Sequence, residues 1–334
     1  MQLCYIESKS DDPMYNLALE QYVFDELPKD RQYFMLWQNN NAIIIGKNQN
    51  TVEEINREKV KKHDVKVVRR LSGGGAVYHD MKNLNFTFIA DSGDMDELDM
   101  KVFVKPIIAT LKECGINAQM TGRNDIVIDS KKFSGNSQYI KHGRVMHHGT
   151  IMFDSNLDFV QKVLSVSKDK IQSKGLKSVR SRMTNIKEHL TEDMSLEDFK
   201  DALKNNVFSG VDGVDIEEYH ITDKDNEQIN KIKEVRYATW EWNYGYSPKY
   251  SIIKEDRIKD CGKIELHLDI KDGRIQGLYA YGDYFGSGDI SELENILKGR
   301  KLIEEDISDA LQDVNISHYF NNMDKQAFFK LILS

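Results

Sequence analysis

The chain of 334 residues is poor in cysteine, proline and tryptophan, with three, four and three of them. Cys4, Cys114 and Cys261 lie far apart and form no pair at metal-ligand spacing. That argues against a disulfide framework and a cysteine zinc site, and a reducing cytoplasm is the simplest setting. Long apolar runs are missing too. Ala42-Ile43-Ile44-Ile45 is among the longest, so no membrane span is expected. The start, Met1 to Glu7, has no basic stretch followed by an apolar core, so no signal peptide is expected. Positive charge is not in excess: the formal net charge of -8 argues against nonspecific nucleic-acid binding, although local basic patches remain compatible with it. Hydrophobic residues at 40% and charged residues at 30% make a globular composition, long enough for one large domain with an appendage or for two domains.

The pattern along the chain reads as α+β. Asp12-Pro13 predicts a helix start, followed by Met14, Leu17, Ala18 and Tyr22 at helical spacing. Phe34–Trp37 and Ala42–Gly46 read as buried strands around an Asn-rich turn, and Thr51-Val52-Glu53-Glu54 as a capping box. Asp91–Asp99 is an acidic loop, and a helix follows up to Gly115, kinked or restarted at Pro106. Asp125–Asp129, Lys132–Ile140 and Val145–Phe153 look like three antiparallel strands, and Ser173–Asn185 like a basic loop. Beyond a boundary near 246–250, Ile264, Leu266, Leu268 and Ile270 alternate with polar residues, Asp272-Gly273 signals a hairpin, and Asp289 can cap a helix stopped by Gly299. Two more short helices would end the chain.

The most informative stretch is Arg69-Arg70-Leu71-Ser72-Gly73-Gly74-Gly75-Ala76-Val77-Tyr78-His79-Asp80. Glycines let a ligand lie against the backbone and let several N–H groups point at one anion, and the arginines add forked cations. Neither a Walker loop nor a dinucleotide fingerprint is present. The same residues would also make a tight hairpin turn with a charged flank, and the stretch alone does not decide between the two.

Further clusters follow at Gly122-Arg123-Asn124-Asp125, at Lys131-Lys132-Phe133-Ser134-Gly135-Asn136-Ser137 and at His147-His148-Gly149-Thr150. In this order and spacing R-R-x-S-G-G-G-A-V-x-H-D, G-R-N-D, K-x-S-G and H-H-G-T resemble the lipoate–protein ligases, whose fold is shared with biotin–protein ligases and octanoyltransferases. Lys174–Arg182 and Trp240-Glu241-Trp242-Asn243 also resemble the bacterial members, and the tail resembles their accessory domain. The resemblance implies an α+β fold: a mixed-sheet catalytic domain over 1–246 and a small α+β accessory domain over 250–334.

It also implies the chemistry. Lipoate and ATP, with Mg²⁺, give lipoyl-adenylate and pyrophosphate. The acyl group then passes to a lysine of a lipoyl carrier domain, in the 2-oxoacid dehydrogenases or the glycine cleavage H protein. Lys132 would be the catalytic cation between acyl carbonyl and phosphate. Arg70, Ser72, Gly73, Gly74, Gly75, Ala76, Val77, Tyr78, Asn83, Asn124, Asp125, Ser134, Gly135, His148, Gly149, Thr150 and Arg180 would surround the nucleotide or the adenylate. Asp125 either helps hold Mg²⁺ or caps a turn. A monomer without nucleic-acid or membrane partners is implied.

His79 and His148 have no evident partner in the sequence, and on a strand only one of His147 and His148 can face the ligand. Trp37 and Tyr78 either flank an aliphatic chain or are core, and Ser173–Arg182 either closes over the adenylate or is a solvated basic loop. The family usually has H-D-x-G-N, where this chain has Lys82 in place of the glycine, which puts the local turn geometry in question. Two rival readings are an acyltransferase working through a cysteine thioester without ATP, and a non-catalytic lipoyl-binding protein. No cysteine lies in the motif region, and both Lys132 and the glycine stretch are present, which favours the ligase.

Overall fold

The computed structural model describes residues 2–91, 100–122, 124–164, 182–209, 215–246, 250–259, 261–282, 284 and 286–334. Arg123, Arg180 and most of the acidic 91–99 and basic 173–185 segments lie outside them. The chain gathers into two compact units, Met1–Thr239 and Trp240–Ser334, each α+β.

The strands of the first unit are β1 (Gln2–Glu7), β2 (Arg31–Trp37), β3 (Ala42–Ile45), β4 (Lys66–Arg69), β5 (Val77–His79), β6 (Asn83–Asp91), β7 (Ala118–Thr121), β8 (Asp125–Ile128), β9 (Lys131–Lys141), β10 (Arg144–Met152) and β11 (Asp215–Glu218). Eight of them form one mixed sheet in the order β11-β1-β2-β6-β10-β9-β8-β7, and a small sheet has the order β4-β3-β5. The consecutive strands β2 and β3 therefore do not form the hairpin that their spacing suggests. β2 pairs with β1 and β6, while β3 pairs parallel to β4 and antiparallel to β5. Nor is the glycine stretch a hairpin, because β4 and β5 flank β3 on opposite sides and residues 70–76 cross its end.

The eight-stranded sheet has two different faces. Phe34, Leu36, Leu84, Phe86, Ile151 and Phe133 point to one side, where Val104, Ile107 and Leu111 of helix Met100–Glu113 and Phe199 and Leu203 of helix Leu196–Ser209 complete the core. That helix runs through Pro106 without interruption. The other face carries Trp37, Asn85, Thr87, His148 and Thr150, alternating with those core residues as strand geometry requires. It lies under α1 (Pro13–Asp25) and the small sheet. Asp12 caps α1 by accepting from the Met14 amide at 3.2 Å, with Pro13 in the first turn. α1 is buried on nearly every side from Asn16 to Phe24, which brings the carboxylate of Glu20 inside the protein.

Asn50 precedes helix Thr51–Glu54 without a side-chain cap, and the Thr51 hydroxyl accepts from Arg69 at 2.6 Å. Lys82 keeps a negative φ, so its turn needs no glycine, and its carbonyl accepts from the amides of Phe153 and Asp154.

The second unit is an antiparallel sheet of β12 (Tyr250–Ile258), β13 (Gly262–Lys271) and β14 (Arg274–Gly282). Ile264, Leu266, Leu268 and Ile270 are buried against Leu293, Leu297, Ile307, Phe320 and Phe328. Asp272 and Gly273 both take positive φ, at 51° and 67°, as a tight two-residue hairpin turn requires. Asp289 caps helix Ile290–Leu297, and three short helices follow rather than two: Glu304–Ala310, Ile316–Tyr319 and Lys325–Leu333.

Candidate functional site

A pocket in the first unit lies on the polar face of the large sheet. Its floor is a row of cross-strand neighbours. Trp37 opposes Asn85, Asn85 opposes Thr150, and the Gly135 amide donates to Thr150 Oγ1 at 3.4 Å. The row crosses β2, β6, β10 and β9, so at one strand spacing per step it is roughly 14 Å long. Lys132 and Asn124 stand at the Gly135 end, and the apolar side chains Leu17, Trp37, Ile44 and Val77 also line the space.

The rim is the glycine stretch. The two arginines before it do separate jobs, because neighbours on a strand face opposite ways. Arg69 is fully buried and donates to the carbonyls of Gly46, Lys47 and Gln49 at 3.0, 2.9 and 2.7 Å, which fixes the loop after β3. Arg70 faces the pocket and gathers the glycine stretch around itself. It donates from Nε to Ser72 Oγ at 3.1 Å and from Nη2 to the Gly73 and Gly75 carbonyls at 2.6 and 2.9 Å. Burial lowers its pKa to about 10, with Arg69 adding to the lowering and Glu20 opposing it. Ser137 of β9 also donates to the Gly73 carbonyl, at 2.8 Å. With these carbonyls held, the amides of Gly73, Gly74, Gly75 and Ala76 have no acceptor among the described residues, and Gly74 and Gly75 are exposed. Such a run of free amides is a site for an anion. Gly74 has φ +92°, and a Cβ on Gly46 would lie 2.0 Å from the Gly74 carbonyl oxygen, so both positions require glycine.

Lys132 reaches the pocket through a β-bulge. Ile126 pairs with Ser134 but Val127 pairs with Lys132, leaving Phe133 as an extra residue. The bulge breaks the period of two. Lys132, Gly135 and Ser137 line the pocket, while Phe133 joins the core and Ser134 is buried beside Asn136. The lysine lies across Gly135, whose absent Cβ would sit 2.8 Å from Nζ, and Nζ pairs with Asp125 at 2.7 Å. Lys131 is exposed on the other side.

Behind the glycine stretch runs a buried hydrogen-bonded chain. Ser72 Oγ meets His148 Nε2 at 2.6 Å, and His148 Nδ1 meets Glu20 Oε1 at 3.0 Å. Glu20 also accepts from Thr87, whose oxygen accepts from Trp37 Nε1 at 2.9 Å. This ties the floor, α1 and the rim into one unit. His148 thus has partners that its motif did not reveal. His147, on the core side, stacks on Phe103 with ring centroids 4.9 Å apart. Burial and the neighbouring His148 lower its pKa to about 3.

Of the residues implied by the sequence motifs, Arg70, Gly74, Gly75, Ala76, Val77, Asn124, Lys132, Gly135, His148, Gly149 and Thr150 line the pocket. Ser72 and Gly73 support the rim from behind, and Asp125 holds Lys132. Ser134 and Asn83 are buried off the pocket. The Tyr78 ring faces away, packing on Phe159 at 5.1 Å and donating to Asn41 Oδ1 at 3.0 Å, while Trp37 lines the space. Glu20, Ile44, Asn85 and Ser137 were not singled out. Asn83, Asn85 and Thr87 alternate with Leu84, Phe86 and Phe88 in the sequence, a signal for one polar strand face. Among the described residues no three His, Cys, Asp or Glu side chains gather as a metal site. A lone carboxylate such as Asp125 fits only the sparse protein coordination Mg²⁺ takes when phosphate oxygens and water complete its shell.

Residues 12–208 match the lipoyl protein ligase A/B catalytic domain, and residues 247–332 match the bacterial lipoate protein ligase C-terminus. The chain is 47% identical to a lipoate–protein ligase of Bacillus subtilis (strain 168) over 332 residues, covering 99% of this chain and 100% of the relative. A bipartite lipoate protein ligase of Thermoplasma acidophilum, studied with its E2 lipoyl domain, superimposes with TM-score 0.65 at 28% identity, covering 75% of this chain and 98% of that one. LipL1 of P. falciparum in complex with lipoate gives TM-score 0.62 at 26% identity, covering 99% and 98%.

Proposed function

The chain belongs to the lipoyl protein ligase A/B family and is a lipoate–protein ligase; from its site we propose that it activates lipoate with ATP and passes the lipoyl group to a lysine of lipoyl carrier domains. The observation that carries this reading is one pocket with free backbone amides, Arg70 and Lys132 at one end and a largely apolar remainder.

A carboxylate and a triphosphate repel each other. Fixed donors that meet both anions lower that barrier without reorganising as charge develops. The amides of Gly73–Ala76 are placed for phosphate oxygens. Lys132 Nζ exchanges Asp125 for the acyl carboxylate and the α-phosphate, where a compact point cation serves both partners. One acyl oxygen bonds to phosphorus and pyrophosphate leaves. In the second step the carrier lysine's neutral amine attacks the acyl carbon, AMP leaves, and the amine proton is lost. Lys132 again stabilises negative charge at the acyl oxygen. Arg70, with its donors turned to the Gly73 and Gly75 carbonyls, keeps the amides aimed outward. Mg²⁺ entering with ATP would neutralise phosphate charge, and Asp125 is the carboxylate placed to hold it. The units Met1–Thr239 and Trp240–Ser334 would be the catalytic and accessory domains.

A thioester route is not favoured. No cysteine lines the pocket, Cys4 and Cys261 are buried, and burial raises the thiol pKa of Cys4 and of Cys114, away from the reactive thiolate. Lipoate-dependent release of pyrophosphate from Mg-ATP without acceptor protein, followed by a mass shift of an added lipoyl domain, is the expected result. Equal lipoylation from an acyl-carrier thioester without ATP would overturn the reading.

A further inference from the structure

Two buried hydrogen-bond donors at the far end of the pocket have no partner among the described residues: His79 Nε2 and Asn85 Nδ2. Their side chains are almost or wholly inaccessible, at 2% and 0% exposure. The surrounding network assigns which atoms they present. Asn16 Nδ2 donates to Asn39 Oδ1 at 3.0 Å, so Asn39 Nδ2 is left to donate to His79 Nδ1 at 3.1 Å. A neutral ring accepting at Nδ1 carries its hydrogen on Nε2. Likewise Asn83 Nδ2 donates to Asn85 Oδ1 at 2.9 Å, which turns the Asn85 amino group toward the pocket. Asn83 Oδ1 is also unpaired, but Asn83 does not line the space.

Both donors stand beside Trp37. Asn85 is its cross-strand partner, and the His79 ring lies edge-on to the indole at 6.2 Å. Asn85 is two strands from Gly135, so roughly 10 Å separates this end from the Lys132 end. Leu17, Ile44 and Val77 supply an otherwise apolar wall. A buried donor without an acceptor is costly, and a binding site built with such groups discriminates against ligands that leave them unpaired.

Resting on the reading of the pocket as an acyl-activating site, we propose that His79 Nε2–H and Asn85 Nδ2–H are specificity-determining donors for the tail of the acid. They pair with the two sulfurs of the dithiolane ring, which are weak acceptors, and disfavour a plain eight-carbon chain that offers none. The pocket is thereby polarised. Its anion-binding groups gather at Lys132 and the glycine stretch, and its far end presents neutral donors suited to an uncharged acceptor. Burial, together with Arg70 and His148, lowers the His79 pKa to about 3, so the ring does not attract the carboxylate in a reversed pose.

The test uses the full-length protein and three acids of matched length: lipoate, octanoate and 8-hydroxyoctanoate. Pyrophosphate release from Mg-ATP is read as kcat/KM. Lipoate and 8-hydroxyoctanoate should each exceed octanoate by roughly tenfold or more. In Asn85→Leu both ratios should fall toward one. The wild-type series decides the matter even if that variant does not fold. Octanoate as efficient as both others in the wild type, or unchanged ratios in a folded Asn85→Leu, overturns the tail contact while leaving the ligase reading intact. Failure of all three acids to release pyrophosphate would instead remove the ligase reading, and the tail contact with it.

Discussion

Replacing Gly135 by alanine should silence Lys132 without touching it. The new Cβ would lie 2.8 Å from Lys132 Nζ, closer than real Cβ contacts come, and 3.0 Å from Cε. Gly135 is not among the residues with positive φ, so its backbone accepts alanine. The atoms displaced are the end of a flexible, partly exposed side chain, so the cost in folding stability should be about 0.5 kcal/mol or less. The catalytic cost should be far larger. An ammonium pushed off the acyl-phosphate forfeits a preorganised charge contact worth roughly 2.7–4 kcal/mol, or about a hundred- to a thousandfold in rate. Gly135→Ala should therefore match Lys132→Ala in lipoate-dependent pyrophosphate release while unfolding at nearly the wild-type temperature. The double variant should be no worse than Lys132→Ala alone, because the glycine acts only by leaving room for the lysine. Full additivity of the two losses, or a Gly135→Ala enzyme within a few-fold of wild type, would refute the assignment of Lys132 in its observed pose.

Changing Cys4, Cys114 and Cys261 together to serine should leave ATP-dependent activity per folded molecule largely intact; abolished transfer in a folded variant would point to a thioester. Arg69→Met should cost roughly 3 kcal/mol in urea unfolding, since it takes a buried charged donor away from the carbonyls of Gly46, Lys47 and Gln49. His79 and His147 are neutral in the folded protein, with pKa values lowered to about 3, so the unfolded chain binds protons first as pH falls. Stability should hold above pH ~6.5 and decline toward pH ~3 by about 1.4 kcal/mol per pH unit for each histidine. His147→Phe should flatten that slope in denaturant titrations at pH 7 and 5.5, and an unchanged slope would exclude His147 as its source.

Much of this molecule could be read from local residue chemistry. Asp12-Pro13, Asp272-Gly273 and Asp289 start or turn elements through bonds made within a few residues, so their meaning does not depend on the rest of the fold. The alternation of Ile264, Leu266, Leu268 and Ile270 dictates a strand with one buried face, whichever neighbours cover it. The glycine stretch and K-x-S-G marked the site because free amides and a cation are needed wherever a phosphate must be held. Other features depended on groups far apart in the chain. The adjacent strands β2 and β3 entered different sheets because each found partners elsewhere in the chain, β1 and β6 for the first and β4 and β5 for the second. The two adjacent arginines divided into a buried brace and a pocket cation because β4 has two different faces in the fold. The extra residue at Phe133 put Lys132 and Gly135 on the same side, against simple alternation. Glu20 and Asn85 are invisible as motif residues: Glu20 reached His148 only through the burial of α1, and Asn85 the pocket only through its cross-strand register with Trp37. Residue type sets what a side chain can do. Which partners it meets is decided by contacts distant in sequence, and those exist only once the chain has folded.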